Sequence, residues 1–329
     1  MKNRVLGKDL EVSPVGLGCM GFSHAYGKAT DAGTSIAVIR QAVDMGYTLF
    51  DTAECYIGEN EDGSTSYNEE LVGKALAGCR DQVKIATKFG VRHEGRHLIL
   101  NSQPETIRTS IDGSLKRLGT DHVDLYYQHR IDPSVEPETV AEVMDDLIRE
   151  GKILHWGISE ANEEYLRRAH AVCPVTCIQN RYSMMARWHE KLFPVLEELN
   201  IGYVAFSPLA NGILSDAFKA GDTFDKEDYR SVMPQYSDEA YEQNRDLLGL
   251  IRALAAEKKA SPAQIALAWM LCKKPYIVPI PGSRKAERVR ENFGAAAIEL
   301  TADEVKQIDG KLDHMEMSAV FGGSPVKKN

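Results

Sequence analysis

Short runs rich in Val, Ile, Leu and aromatic residues recur at 83–87, 123–127, 153–158, 175–179 and 202–206. Amphipathic stretches at 34–46, 68–77, 104–118, 137–150, 162–172 and 188–199 alternate with them. Strands joined through helices run parallel, since the crossover carries the chain back before the next strand begins. No low-complexity linker or change of composition interrupts the alternation, so the pattern predicts one closed α/β barrel, a single domain over residues 1–329, rather than two domains. Pro104, Pro137 and the pair Ser261-Pro262 mark helix starts, while Gly46, Gly119, Gly151 and Gly202 stand where left-handed helix caps are wanted. The segment 4–13, with Gly7 and Asp9, reads as a β-hairpin ahead of the first barrel strand. Segments 57–67 and 215–245 read as long loops over the barrel mouth, and the tail after 312 as another, mobile one.

A formal charge of −9 excludes nucleic acid or an anionic membrane as a general partner, so an anionic ligand needs a local basic patch. No apolar run reaches the length of a spanning helix, and the start MKNRVLGKDLEVSP lacks the apolar core of a signal peptide. The six cysteines, at 19, 55, 79, 173, 177 and 272, form no CxxC pair and read as free thiols of a reducing cytoplasm. His93 and His97 have a spacing zinc can use, but they flank Gly95 in a charged loop without further ligands, so no metal is expected. The sequence leaves the oligomeric state open.

Gly16-Leu17-Gly18-Cys19-Met20-Gly21 matches the dinucleotide fingerprint GxGxxG letter for letter. That motif binds pyrophosphate only where a strand leads in and a helix opens directly from it. Here Pro14 precedes it, FSHAYGK follows, no helix is expected before about residue 34, and Asp44 lies in a helical stretch rather than at a strand end. The segment is therefore read as a barrel strand and its tight exit.

Asp51, Tyr56, Lys88 and His129 fall at or just past the ends of apolar runs, in LFDTAECY (49–56), IATKFG (85–90) and DLYYQHR (124–130). Residues at the carboxyl ends of barrel strands converge on one mouth. Reducing a carbonyl needs an acid to protonate the oxygen as charge develops there. A tyrosine beside an ammonium has its pKa lowered, a carboxylate can hold the ammonium, and a histidine can hydrogen-bond the carbonyl oxygen. Each residue alone also has a structural explanation: a turn cap, a rim aromatic, an ion-pair partner, a core histidine. Together, with HRID at 129–132 and GISEA at 157–161, they resemble the aldo-keto reductase superfamily, most closely its perakine-reductase-like and bacterial members. The resemblance implies a (β/α)8 TIM barrel, Tyr56 as general acid tuned by Lys88, Asp51 holding Lys88, His129 positioning a small carbonyl substrate, and NADP(H) bound without a Rossmann domain.

Ser159 and Gln179, at strand ends, can hydrogen-bond a carboxamide, and Phe206 can lie beneath a nicotinamide ring. Two positions depart from the common family pattern: Glu160 stands for a frequent asparagine and Phe206 for a frequent tyrosine. Ser207, Leu209 and Gly212 in SPLANG suit a backbone clasp over a diphosphate, and Met20 is placed among the cofactor contacts. In PIPGSRKAERVRENF (279–293), Arg284, Lys285, Arg288 and Arg290 supply four cations within seven residues, at a helix expected to start near Ser283. A solvated charged face is the alternative, because Glu287 and Glu291 are interleaved. The resemblance assigns Ser283, Arg284 and Arg288 to an adenosine 2′-phosphate, and Glu291 and Asn292 to the adenine, which favours NADP over NAD. Competing functions are a Schiff-base lyase using Lys88 and a nicotinamide-sensing regulatory subunit. Arg130 and Trp188 are candidate walls of the substrate pocket.

Overall fold

The structure, a computed structural model, describes residues 2–95 and 97–327. Its strands are β1 (Arg4–Leu6), β2 (Leu10–Val12), β3 (Leu17–Gly18), β4 (Leu49–Asp51), β5 (Ile57–Glu59), β6 (Thr65–Tyr67) and β7 (Lys84–Phe89). They continue with β8 (Val91–Glu94), β9 (His97–Leu100), β10 (Val123–Gln128), β11 (Ile153–Ser159), β12 (Cys177–Arg181), β13 (Gly202–Phe206) and β14 (Ile277–Pro279). Helices α1 (Ala32–Met45), α2 (Asn68–Leu76), α3 (Pro104–Leu118), α4 (Pro137–Arg149), α5 (Glu163–Val172) and α6 (Phe193–Leu199) follow successive strands. The remainder are α7 (Asp238–Gln243), α8 (Arg245–Lys258), α9 (Pro262–Lys273), α10 (Ala286–Gly294) and α11 (Ala302–Leu312).

Eight strands form one curled parallel sheet in the order β14-β13-β12-β11-β10-β7-β4-β3. Hydrogen bonds from Gly16 N to Pro279 O (2.9 Å) and from Gly18 N to Pro281 O (3.4 Å) bring its two edges together. Side chains alternate across each strand, and both faces are apolar. Outward residues such as Ile85, Tyr126, Trp156, Ile158 and Tyr203 join the inner stripes of the helices in the larger core. Inward residues Leu49, Ala86, Leu125, Tyr127, Cys177, Val204 and Val278 form a second core that also includes Leu6, Leu10 and Val12. Those three come from β1 and β2, which pair antiparallel and pack against the inward face of the sheet. Gly7 turns this pair with φ +60°, and a Cβ there would meet Thr176 O at 2.8 Å.

Local chemistry sets the element ends. Asp31 caps α1 by accepting from Thr34 N, and Ser261 and Gln264 form a reciprocal capping box at α9. Gly46 and Gly119 are left-handed caps as expected, but Gly202 begins β13; α6 ends instead at Asn200, with φ +52°. Helix α6 is also shorter than 188–199 suggests, since Pro194 fixes its first turn and a 3-10 turn precedes it.

The excursions differ from simple loops. Segment 57–67 is a hairpin, β5 with β6, and Gly58 lies so close to Ser23 O that a Cβ would stand 1.6 Å from it. The tail is pinned rather than loose: Leu98 N donates to Pro325 O and Lys327 N to Leu98 O, both at 2.9 Å, and Phe321 N donates to Gln235 Oε1 at 2.9 Å. Among the described residues no helix is long and apolar enough to cross a membrane. No group of three or more His, Cys, Asp or Glu side chains among them could hold a metal ion.

Candidate active site

The parallel register places Asp51 beside Gly18, Lys88 beside Tyr127, Ser159 beside Gln179 and Arg181 beside Phe206. The carboxyl ends of the strands therefore open onto one cleft of about 730 Å³. Its lining contains Met20, Asp51, Tyr56, His129, Ser159, Gln179, Phe206, Ser207, Leu209, Gly212, Ser283, Arg284, Arg288, Glu291 and Asn292. Lys88 lies behind this surface, fully buried. Cys19 leads into a three-residue 3-10 turn, Met20–Phe22, and no α-helix starts before Ala32, so the GxGxxG letters here form a strand and its exit.

The Lys88 ammonium has three donors and three acceptors. It is ion-paired to Asp51 Oδ1 and donates to Thr52 O (2.7 Å) and Tyr56 Oη (3.2 Å). Asp51 Oδ2 accepts from Gln179 Nε2 at 2.7 Å, which fixes the carboxylate from the opposite side. Burial works against the Lys88 charge, but Asp51 and Tyr56 more than offset it and raise the Lys88 pKa. Tyr56 runs against the sequence expectation. Burial pushes its pKa up to about 12, and the lowering by Lys88 is the smaller effect. Burial is the main cause, and the charge of Asp51, which faces the ammonium, raises the Tyr56 pKa further.

His129 follows β10, its backbone N–H donating to Phe89 O at 3.0 Å. Its ring stands edge-on to Tyr56, with centroids 5.7 Å apart. Burial first, then the charges of Arg130 and Lys88, hold its pKa well below the ordinary value, so the imidazole is neutral. Nδ1 lies 3.5 Å from Cys55 Sγ, a thiol whose pKa burial raises to about 12. A protonated thiol can donate to Nδ1, and in that tautomer Nε2–H is the imidazole's own donor.

At the other end of the cleft, Arg284 Nε donates to Gly21 O at 2.5 Å, while its Nη2 is buried without a partner among the described residues. A buried guanidinium N–H without an acceptor is costly, and an anionic ligand would satisfy it. Arg288 lies against Glu291 (2.6 Å), and Ser283 Oγ accepts from Lys285 N (3.1 Å). Helix α10 starts at Ala286, three residues beyond the expected start. Between the two ends, Ser207, Ala210 and Asn211 have positive φ (49°, 48° and 60°), a strained loop of which Ser207 and Asn211 line the cleft. Set against the expected carboxamide contacts, Gln179 is tied to Asp51, and Ser159 Oγ accepts from Arg130 Nη1 at 3.2 Å. Glu160 Oε1 accepts from Arg181 N at 3.2 Å.

Several cleft residues escaped the sequence reading. His24, Tyr26, Arg181, Tyr229, Arg230 and Phe321 come from loops or strand tips whose convergence depends on the fold. Only Arg181 carried a signal, two residues after Gln179 at the end of the same strand. Trp188 is half exposed and outside the cleft, and no residue of 57–67 lines it; Arg130 does.

The model of the aldo/keto reductase family matches residues 14–313. The chain is similar to the glycerol dehydrogenase AKR11B4 from Gluconobacter oxydans, with 28% identity, 97% of each chain covered and a TM-score of 0.83. It is also similar to the aldo-keto reductase AKR11C1 from Bacillus halodurans, in its holo form, with 27% identity, 98% of each chain covered and a TM-score of 0.76. A thermostable aldo-keto reductase, Tm1743, in complex with the inhibitor epalrestat is 27% identical, with 94% of this chain and 99% of that one covered and a TM-score of 0.73. A match over most of the length, joined to an Asp, Tyr, Lys and His gathered at the carboxyl ends of a curled parallel sheet, places the chain in the aldo/keto reductase family.

Proposed function

We propose that this protein is a single-domain, NADPH-dependent reductase that converts an aldehyde or ketone to the alcohol, with Tyr56 as the proton donor. The observation that carries the reading is the three-way hold on Lys88. Because Tyr56 Oη accepts from the ammonium, its own O–H is free to donate to an oxygen in the cleft. His129 Nε2–H is a second donor for the same oxygen. Bound NADPH supplies hydride to the carbonyl carbon. Ser159, Gln179 and Phe206 would hold the nicotinamide; Met20, Ser207, Leu209 and Gly212 the diphosphate side. Ser283, Arg284 and Arg288 would hold the 2′-phosphate, with Glu291 and Asn292 at the adenine. The unpartnered Arg284 Nη2 supports a phosphate there. The fold is read as a (β/α)8 barrel, whose closure the Gly16–Pro279 hydrogen bond supports, floored by the β1–β2 hairpin.

A Schiff-base lyase needs Lys88 as a neutral amine, and the raised pKa and three acceptors count against it. A purely regulatory subunit leaves the intact proton donor without a use.

Two tests follow from the charges. Arg288→Ala is expected to weaken NADPH about 10–100-fold, the loss of one or two charge-assisted hydrogen bonds, and NADH by less than about threefold. Fluorescence titration with both cofactors measures this, and equal losses would remove Arg288 from the phosphate. The second test is the pH profile. With Tyr56 protonated up to about 12 and His129 neutral, kcat/KM for reduction is expected to stay level from about pH 6 to 9. For oxidation of the alcohol, which needs phenolate, the rate should climb with pH across that range. An inflection of reduction near pH 6.5 would mean that His129 titrates.

A further inference from the structure

Arg130 and Arg181 bring two guanidinium groups to the cleft around Phe206. Arg181 is only 6% exposed, yet its one side-chain hydrogen bond is a long contact from Nη1 to Asn211 Oδ1 (3.5 Å). Arg130 donates to His129 O (2.7 Å) and Ser159 Oγ (3.2 Å), neutral acceptors both. Both guanidinium carbons lie over the Phe206 ring, at 4.9 Å for Arg181 and 5.9 Å for Arg130. Among the described residues neither forms an ion pair. Glu160, the nearest acid by charge, uses Oε1 on the backbone N–H of Arg181. Among the described residues the carboxylates lining the cleft are Asp51, held by Lys88 and Gln179, and Glu291, held by Arg288. His93 adds a buried Nδ1 without a partner in the same cleft.

Like charges gathered in a poorly hydrated site are costly unless a ligand of opposite sign completes it. The 2′-phosphate region has its own cations in Arg284, Lys285 and Arg288, and the diphosphate is assigned to the backbone of the 207–212 loop, so Arg130, held only by His129 O and Ser159 Oγ, calls for a different anion. We propose that the substrate carries a carboxylate in addition to its carbonyl, and that Arg130, supported by Arg181, binds that carboxylate while the carbonyl faces Tyr56. The inference rests on the reductase reading and narrows it to oxo acids. A planar guanidinium is suited to the two oxygens of a carboxylate, and a lysine is not an equal replacement.

The test compares oxo acids of increasing length, glyoxylate to 5-oxopentanoate, with the unsubstituted aldehydes of equal chain length, using NADPH. The best oxo acid is expected to exceed its matched aldehyde by about 30-fold or more in kcat/KM, and the ratio should fall below about threefold in Arg130→Met. Arg130→Lys should give an intermediate ratio. A turnover-free measurement runs alongside it: calorimetric titration of the NADPH complex with butanoate and with butanamide, where butanoate should bind more tightly and lose that advantage in Arg130→Met. Aldehydes turned over as well as oxo acids, or an unchanged ratio in the variant, would overturn the proposal and leave the reductase reading intact. Loss of NADPH affinity in Arg130→Met by the same factor as the loss of oxo acid would assign the pair to the cofactor and likewise overturn it. If no carbonyl is turned over, the reductase reading fails, and the butanoate titration alone then decides whether the anion site exists.

Discussion

Tyr56→Phe is expected to lower carbonyl reduction by about 10²–10⁴-fold, the range for removing a positioned general acid. NADPH affinity should stay within about twofold of wild type, because the variant removes one hydroxyl and keeps the ring. The hydroxyl accepts from Lys88, and among the described residues no other side chain donates to it. The loss should appear in kcat more than in KM, since proton donation matters only as the oxygen gains charge. Single-turnover NADPH absorbance checks this. Retention of most of the rate would mean that another group, His129 being the nearest, delivers the proton.

Lys88→Met should damage both fold and chemistry. Lys88 is fully buried and Asp51 is 3% exposed, so removing the ammonium leaves a buried carboxylate with Gln179 as its remaining side-chain donor. Breaking such a pair costs about 3–5 kcal/mol. The same bonds raise the Lys88 pKa in the folded state, so the stabilisation is complete below the unfolded value of about 10.4 and is lost as pH climbs through the higher folded value. Urea denaturation at pH 7 should show the full deficit of the variant, and the gap between the two proteins should narrow above about pH 10.4. Replacing Asp51 with Leu in the Lys88→Met background removes the orphaned charge and should restore part of the stability but none of the activity. A gap that does not change with pH would show that packing, not charge, accounts for the loss.

What was legible in the sequence follows the periodicities. Strand ends near 51, 88, 129, 159, 179 and 206 could be located because apolar runs stop there, and parallel strands aim those ends at one mouth. The false fingerprint at Gly16–Gly21 could be set aside because a phosphate-binding helix must start at once, and the chain offers none before Ala32. Other features depended on long-range contacts. Nothing local marks the tail as fixed; the strand edge that Leu98 offers to Pro325 and Lys327 exists only after the β8–β9 hairpin forms. His24 meets Tyr56 and His93 through rings brought together by two loops and strand β8. The acidity of Tyr56 was misjudged for a related reason. Residue types show that a lysine is near, but not that burial outweighs it or that the charge of Asp51 raises the pKa further.

The most direct measurement uses NADPH with both hydrogens at the nicotinamide C4 replaced by deuterium, incubated with an aldehyde that the enzyme turns over, and mass spectrometry of the alcohol. One deuterium on the carbinol carbon for each NADPH oxidised, and no label on the protein, is the result this account expects. An unlabelled alcohol, or a substrate adduct on Lys88 trapped by borohydride, would contradict it.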